Sequence, residues 1–405
     1  MRPPASALAS IATAFCLFGG IALAVLLAPA TTSSAVADAP SKTGSDAPKP
    51  TRPKPAAGFT LVAGGDVALT GDPDEATLAA VRPFFRRADL AIANLEGTLA
   101  ETGSARCLAS PEAGCFVFRA SPGWAATLRR AGLTDLNVAN NHALDYGPEA
   151  QRETLAALHG EHLAYDGLPG QITFLRAGPV RVVVIGCAPY SWAQNLLDIP
   201  GSRALVREAA RRAQVVIVYM HAGAEGTDAA HVSDSEETYL GEPRGNPVAF
   251  AHAMVDAGAD LVFASGPHVL RAMEWYRNRL VAYSLGNLAG SHTLSTDGPL
   301  SDSALLRVKL DARGRLLAGS LIPLRLDAWG TPALDRQGAS LRLIGSLSRQ
   351  DFPANAMRVS ATGHLSPPTS TPSSRIRPPR DTCWPFVLRR AKVANSARCV
   401  SSSRR

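Results

Sequence analysis

The chain has 405 residues and a formal net charge of +7, yet from Leu365 onward nine Arg and Lys against a single Asp give the tail a net +8. The remainder is therefore near neutral, which makes no case for a nucleic-acid groove or a nucleic-acid partner. Six cysteines with no Cys-x-x-Cys element argue against a thiolate zinc site, and the absence of a Gly-x-Gly-x-x-Gly after the first apolar strand argues against a dinucleotide-binding oxidoreductase.

Met1-Arg2 is followed by an uncharged apolar run from Ala5 to Leu27, the pattern of an export signal. Ala35-Val36-Ala37 offers the small residues that a signal peptidase accepts, which would leave Asp38 as the new terminus. The same run, at about 20 apolar residues, is also long enough to persist as an anchor. Residues 1–37 are therefore expected to be a signal peptide or an N-terminal membrane anchor, and the protein to be extracytoplasmic, either secreted or held at the cell membrane. The Pro, Ser and Lys-rich stretch from Asp38 to Pro55 makes 38–57 an expected disordered spacer.

A folded domain is expected over 58–357. Short runs at Phe59 to Ala63, Leu90 to Ala93, Leu136 to Ala139, Val215 to Met220, Leu261 to Ala264 and Leu280 to Ala282 are almost wholly apolar, so they read as buried strands. Helices are expected at Asp74 to Arg87, from Ser121-Pro122 through Arg130 with Gly132 as the stop, and from Pro148 through Leu158. Further helices are expected at Arg203 to Arg212 and Pro247 to Asp256. Such alternation predicts an α/β domain with largely parallel strands, whose ligands gather at the carboxyl ends. Residues 358–405, low in complexity from Ser366 to Pro379 and basic to the end, are expected to be a disordered tail. That tail is either simply solvated or in contact with anionic lipid or cell-wall polymer.

Each apolar run closes in a short polar block, and these blocks would share one rim. Asp66 follows two glycines that let the backbone turn sharply. Asn94 and Glu96 end the second strand, and Asn140, His142 and Asp145 follow the third. Oxygen and imidazole ligands in this mixture suit Mn, Fe, Zn or Mg. His221 and His268 each come after a full apolar strand, where an imidazole is costly unless hydrogen-bonded or ligated. Two ions held by such groups polarise a phosphoryl or carbonyl oxygen and activate water. His142 with Asp145 reads alternatively as an acid/base pair. Cys16 lies in the leader and Cys187 ends an apolar run, whereas Cys107 and Cys115 flank a loop and form a plausible disulfide outside the cytosol. Cys383 and Cys399 could form another.

In order, Gly65-Asp66, Asn94-Leu95-Glu96, Ala139-Asn140-Asn141-His142 with Asp145-Tyr146-Gly147, His221-x-Gly-x-Glu225, Gly258-Ala259-Asp260 with Pro267-His268-Val269, and Tyr283-Ser284-Leu285-Gly286-Asn287 resemble the signature of the CapA family of bacterial poly-gamma-glutamate capsule synthesis proteins. The resemblance runs from about Phe59 to Asn287, with weaker continuation to Asp327. It implies a calcineurin-like metallophosphoesterase fold, an α/β two-sheet sandwich flanked by helices. Residue by residue it implies Asp66, Glu96, Asn140, His221 and His268 at one or two divalent metal ions, and His142 with Asp145 as the catalytic pair. It further implies Asn94, Asn141, Glu225, Tyr283, Ser284 and Asn287 about the substrate, Tyr283 to Asn287 having a strand-to-turn structural role as the equal alternative. The chain departs from the pattern where Ser265 and Gly266 stand in place of a second histidine common in relatives, and where Val67-Ala68 follows Asp66 instead of the Asp-x-His of metallophosphoesterases. One ion, a weaker oxygen-rich pair, or a site without catalysis are all compatible with those departures.

Two functions follow from the resemblance. One is a metal-dependent hydrolase or transferase in capsule or poly-gamma-glutamate synthesis, acting on an anionic surface polymer or its precursor beside membrane-embedded synthesis proteins. The other is a non-catalytic assembly or binding subunit that uses the same pocket.

Overall fold

The computed structural model describes residues 58–107 and 115–369. The expected leader or anchor over 1–37, the spacer over 38–57, Cys16, Cys383, Cys399 and the basic end of the tail lie outside the described residues. No helix among the described residues is long and apolar enough to cross a membrane.

Two sheets pack face to face, each covered on its outer side by helices. In the first sheet, Gly58–Ala68, Leu90–Leu95, Asp135–Asn137 and Ala164–Asp166 run parallel side by side. On the other side of Gly58–Ala68 the sheet continues antiparallel through Asp302–Asp311 and Leu316–Leu326. The second sheet has a parallel centre of Val180–Cys187, Val215–His221, Leu261–Ser265 and Arg279–Ala282. Its edges, Thr173–Ala177 and Met273–Tyr276, are antiparallel.

Alternation along each strand builds the layers. Phe59, Leu61 and Ala63 from the first sheet meet Val182, Val184, Ile217, Tyr219 and Phe263 from the second in one shared core. The opposite faces, with Val62, Ala91 and Ala93 in one sheet and Val183, Val216 and Val218 in the other, take helices Trp124–Ala131 and Gly147–Gly160, and Ile199–Arg212 and Pro247–Ala257 respectively. Each fully buried Leu, Ile or Phe contributes roughly 1.5–3 kcal/mol by its removal from water. The Tyr219 hydroxyl crosses the layer to donate to the Gly64 carbonyl at 3.0 Å, joining the sheets beneath the rim.

Three sequence expectations are corrected and one helix is new. Of the helix expected over Asp74 to Arg87 only Arg82–Phe85 forms, because Pro83 lacks the N–H and crowds the turn before it, so it serves as a helix start. The sheets are mixed rather than largely parallel: the long hairpin Asp302–Asp311 with Leu316–Leu326 is antiparallel and half-solvated, with Arg307 and Lys309 exposed between buried leucines and valines. Helix Ala339–Asp351 was not expected. The folded domain also runs past 357, since Arg358–Val359 and His364–Ser366 add to the first sheet and bury Leu365.

Candidate metal and acid–base site

The carboxyl ends of the central strands of both sheets converge at one place. Gly58–Ala68 shifts register against Leu90–Leu95 between Ala63 and Asp66, a bulge made at Gly64-Gly65. A side chain at Gly65 would collide with the Gly286 carbonyl, so only glycine allows the two backbones to approach there. The Asp66 N–H donates to that same carbonyl at 3.1 Å, which fixes the direction of its side chain.

Asp66 is fully buried, with Asn94 Nδ2 donating to its Oδ1 at 2.8 Å and the Gly266 N–H donating to its Oδ2 at 3.1 Å. The second sheet contributes the imidazoles: His221 Nδ1 lies 3.6 Å from Asp66 Oδ1, and His268 Nδ1 lies 3.3 Å from Asp66 Oδ2. Glu96 Oε1 stands 3.6 Å from His221 Nε2 and 3.8 Å from His268 Nε2. His268 has a left-handed backbone, φ 60°, unusual for a residue with a side chain, and its Nδ1 also contacts Asn287 Oδ1 at 2.8 Å. Glu225 Oε2 lies 3.6 Å from His268 Nε2, and its other oxygen pairs with the buried Arg244 guanidinium.

Beside this group stands the candidate acid–base pair. His142 Nδ1 is 2.7 Å from Asp145 Oδ2, and Asp145 is held from two more directions, by the Phe118 N–H at 2.7 Å and by Arg106 Nε at 2.8 Å. The Phe118 ring packs on the imidazole with centroids 4.2 Å apart. Cys107 and Cys115, which bracket the loop between Arg106 and Phe118, are paired with Cα atoms 6.6 Å apart.

The charges are strongly coupled. Burial works to raise the Asp66 carboxyl, but hydrogen bonding to and the charges of His221 and His268 overcome it and hold Asp66 far below the usual carboxylate range. Glu96 moves the other way, raised well above that range by burial and by the neighbouring Asp66 charge. Burial lowers His221. It opposes the charge on His268 as well, yet Glu96, Asp66 and Glu225 together raise that imidazole well above its ordinary value. Glu225, despite its burial, is held at about 2 by His268 and Arg244.

Both oxygens of Glu96 are buried and have no hydrogen-bond partner among the described residues. One ligand atom each from Asp66, Glu96 and His268 fall within 4.8 Å of one another. A buried carboxylate without a donor is costly, and a divalent cation among two carboxylates and imidazole is the group that removes the cost. The donor set therefore fits a hard or borderline divalent ion.

Of the residues singled out in the sequence, Asp66, Glu96, Asn94, His221, His268, Asn287, Asn141, Glu225, His142 and Asp145 come together. Asn140 lies among them but its amide is spent on the scaffold: Nδ2 donates to Asn94 Oδ1 at 3.0 Å and to the Leu95 carbonyl at 2.8 Å, and Oδ1 accepts from the His142 N–H at 3.0 Å. Asn141 instead turns its Oδ1 to His221 Nε2 at 2.9 Å. Tyr283 and Ser284 are not at the site. Tyr283 is buried with its hydroxyl on Glu274 Oε2 at 2.7 Å, and Ser284 Oγ accepts from the Gly286 N–H at 3.1 Å, so the strand-to-turn role is the one they fill. Arg106 and Arg244 escaped the sequence reading because both sit away from strand ends in the central sheets, one in the disulfide loop and one in the hairpin of Glu237–Tyr239 with Glu242–Gly245.

Residues 60–291 match the family model described as "Bacterial capsule synthesis protein PGA_cap". The chain is 28% identical over 246 residues to "Capsule biosynthesis protein CapA" of Bacillus anthracis, covering 55% of this chain and 56% of that one. It is 28% identical over 208 residues to "PGA biosynthesis protein CapA" of Bacillus subtilis, covering 46% and 50%. The chain thus spans about half the length of these curated relatives. Among solved structures, a 5'-nucleotidase precursor from Thermus thermophilus aligns at 15% identity with a TM-score of 0.39, over 68% of this chain and 54% of that one.

Proposed function

Because the chain belongs to the bacterial capsule synthesis protein PGA_cap family, we propose that it serves the making of a capsule or poly-gamma-glutamate surface polymer through a divalent-metal-dependent hydrolase or transferase site. The observation that carries this reading is Glu96, a buried carboxylate with no donor, beside Asp66 and His268. Asp66, Glu96, His221 and His268 would hold the ion, with Asn141 rather than Asn140 as the amide turned toward it. When bound, a divalent ion supplies Lewis acidity toward a phosphoryl or carbonyl oxygen.

The chain's own residues do the rest. The Asp145 carboxylate takes the Nδ1–H of His142, which fixes the tautomer and leaves Nε2 free to take or give a proton at the substrate. Arg106 and the Phe118 N–H hold Asp145 in place. Glu225 and Asn141 line the same opening and would orient the substrate. The protein works outside the cytoplasm, delivered or tethered by residues 1–37, on an anionic polymer or its precursor and beside membrane-embedded synthesis proteins. The test is metal content and phosphoester or peptide hydrolysis of the purified chain after Mn incubation, beside Asp66→Ala. Retention of metal by Asp66→Ala, or unchanged surface polymer in cells carrying Asp66→Ala with His142→Ala, would sink it.

A second reading, a binding or assembly subunit without catalysis, is favoured by one contact: the Gly266 N–H already satisfies Asp66 Oδ2, where relatives often offer a second histidine. On that reading the same double variant complements fully.

A further inference from the structure

Two openings meet over His142. One is a cleft of about 440 Å³, and the other a smaller apolar recess of about 170 Å³; both are lined by Phe116, His142, Glu225 and Tyr239. A groove that continues to either side of the acid–base pair accommodates a chain passing over it better than a small molecule that ends there.

The larger lobe has a built wall. Tyr190 and Trp192 stack at 4.7 Å, and the Trp192 Nε1–H donates to the Asn140 carbonyl at 3.0 Å, tying this wall to the candidate metal site. Arg244 lies between Tyr190 and Tyr239, its Cζ 5.9 Å and 5.5 Å from the two ring centroids. Its side chain is only 3% exposed. One arm of the guanidinium pairs with Glu225, whereas Nε and Nη1 have no acceptor among the described residues. Buried guanidinium donors without an acceptor are costly and match a planar oxyanion.

We propose that Arg244 is the residue by which this groove holds the polymer, receiving one carboxylate of the linear chain as the rings of Tyr190 and Tyr239 part. The proposal rests on the surface-polymer reading and names the residue by which the site would recognise its polymer. Arg244 is a specificity residue here, distant in role from the proton transfer at His142.

The test uses the full chain stripped of metal by a chelator and titrated calorimetrically with a linear γ-linked glutamate hexamer, its methyl-esterified form and inorganic phosphate. The free-acid hexamer binds, the ester does not, and Arg244→Met weakens binding by about tenfold or more, the worth of a charge-assisted hydrogen bond. Trp192→Ala weakens it too, and decides the matter should Arg244→Met fail to fold. No binding of the hexamer to the wild type, equal binding to Arg244→Met, or displacement of the hexamer by inorganic phosphate overturns the proposal, the last by showing a phosphate site. Metal-dependent hydrolysis with binding unchanged in Arg244→Met sinks the groove alone. Hexamer binding by a chain that takes up no metal sinks the hydrolase reading alone.

Discussion

At the scale of single residues, Asp145 has the most separable role. It touches His142, Arg106 and the Phe118 N–H but none of the candidate metal ligands. Asp145→Asn should therefore leave metal content unchanged while lowering the turnover of any hydrolysed substrate by about 100-fold or more, the usual worth of positioned general acid–base catalysis. Steady-state kinetics beside metal analysis checks this, and loss of both together would show that Asp145 is scaffold. The same scale shows what the sequence made legible. Asp66, Glu96, His221 and His268 stood out because a polar group directly after a buried apolar strand has few harmless places to go. Asn140 was expected at the ion and Asn141 at the substrate, an order the sequence had no means to set, since neighbours on one turn differ only in direction, and direction is set by Asn94 and Leu95 from another strand.

At the scale of elements, the segment after Val215–His221 is gripped by one buried guanidinium. Arg271 is wholly buried, donating to the Ala229 and Ala224 carbonyls and to both oxygens of Glu237. Arg271→Ala leaves Glu237 without its charge partner and should cost about 3–5 kcal/mol; urea unfolding measures it, and a cost near zero would mean that the segment is held elsewhere. A second pair lies between neighbouring strands. Asp135 and Asp166 are both buried, their carboxylate oxygens have no hydrogen-bond partner among the described residues, and Gly186 of the facing sheet leaves the room that Asp166 occupies. Burial raises both, Asp135 to about 7 and Asp166 well above the usual carboxylate range with the Asp135 charge beside it. A carboxyl raised on folding holds its proton in the folded chain, so its contribution is whole at low pH and is lost as pH rises through about 7. Asp135→Asn should flatten that decline and leave the chain more stable at pH 8 by a few kcal/mol, at ~1.4 kcal/mol per pKa unit. Melting temperatures of both proteins from pH 5 to 9 decide it; parallel curves would clear the pair. Nothing in the sequence marked these aspartates, because their cost arises only when two strands set them side by side.

At the scale of the whole molecule, most parallel strands of both sheets were readable from continuous apolar runs, whereas the short Ala164–Asp166 and the antiparallel additions were not. The run Leu306, Arg307, Val308, Lys309, Leu310 does carry the alternation of a half-solvated strand. The closing strands Arg358–Val359 and His364–Ser366 carry no such pattern; His364–Ser366 is specified by its pairing with Leu316–Leu326, and Arg358–Val359 by its pairing with His364–Ser366 in turn. A fragment covering 58–357 should accordingly melt several degrees below one covering 58–369, since the shorter one exposes the place of Leu365. Equal melting would place the domain boundary at 357.

The candidate ligands come from opposite halves of the sandwich, Asp66 and Glu96 from one sheet and His221 and His268 from the other. Their mutual distances are thus a gauge of the gap between the sheets. A methyl group added far below, among Val184, Ile217 and Phe263, would register at the rim as a change in those distances, so that interior packing sets the bite of a site it never touches.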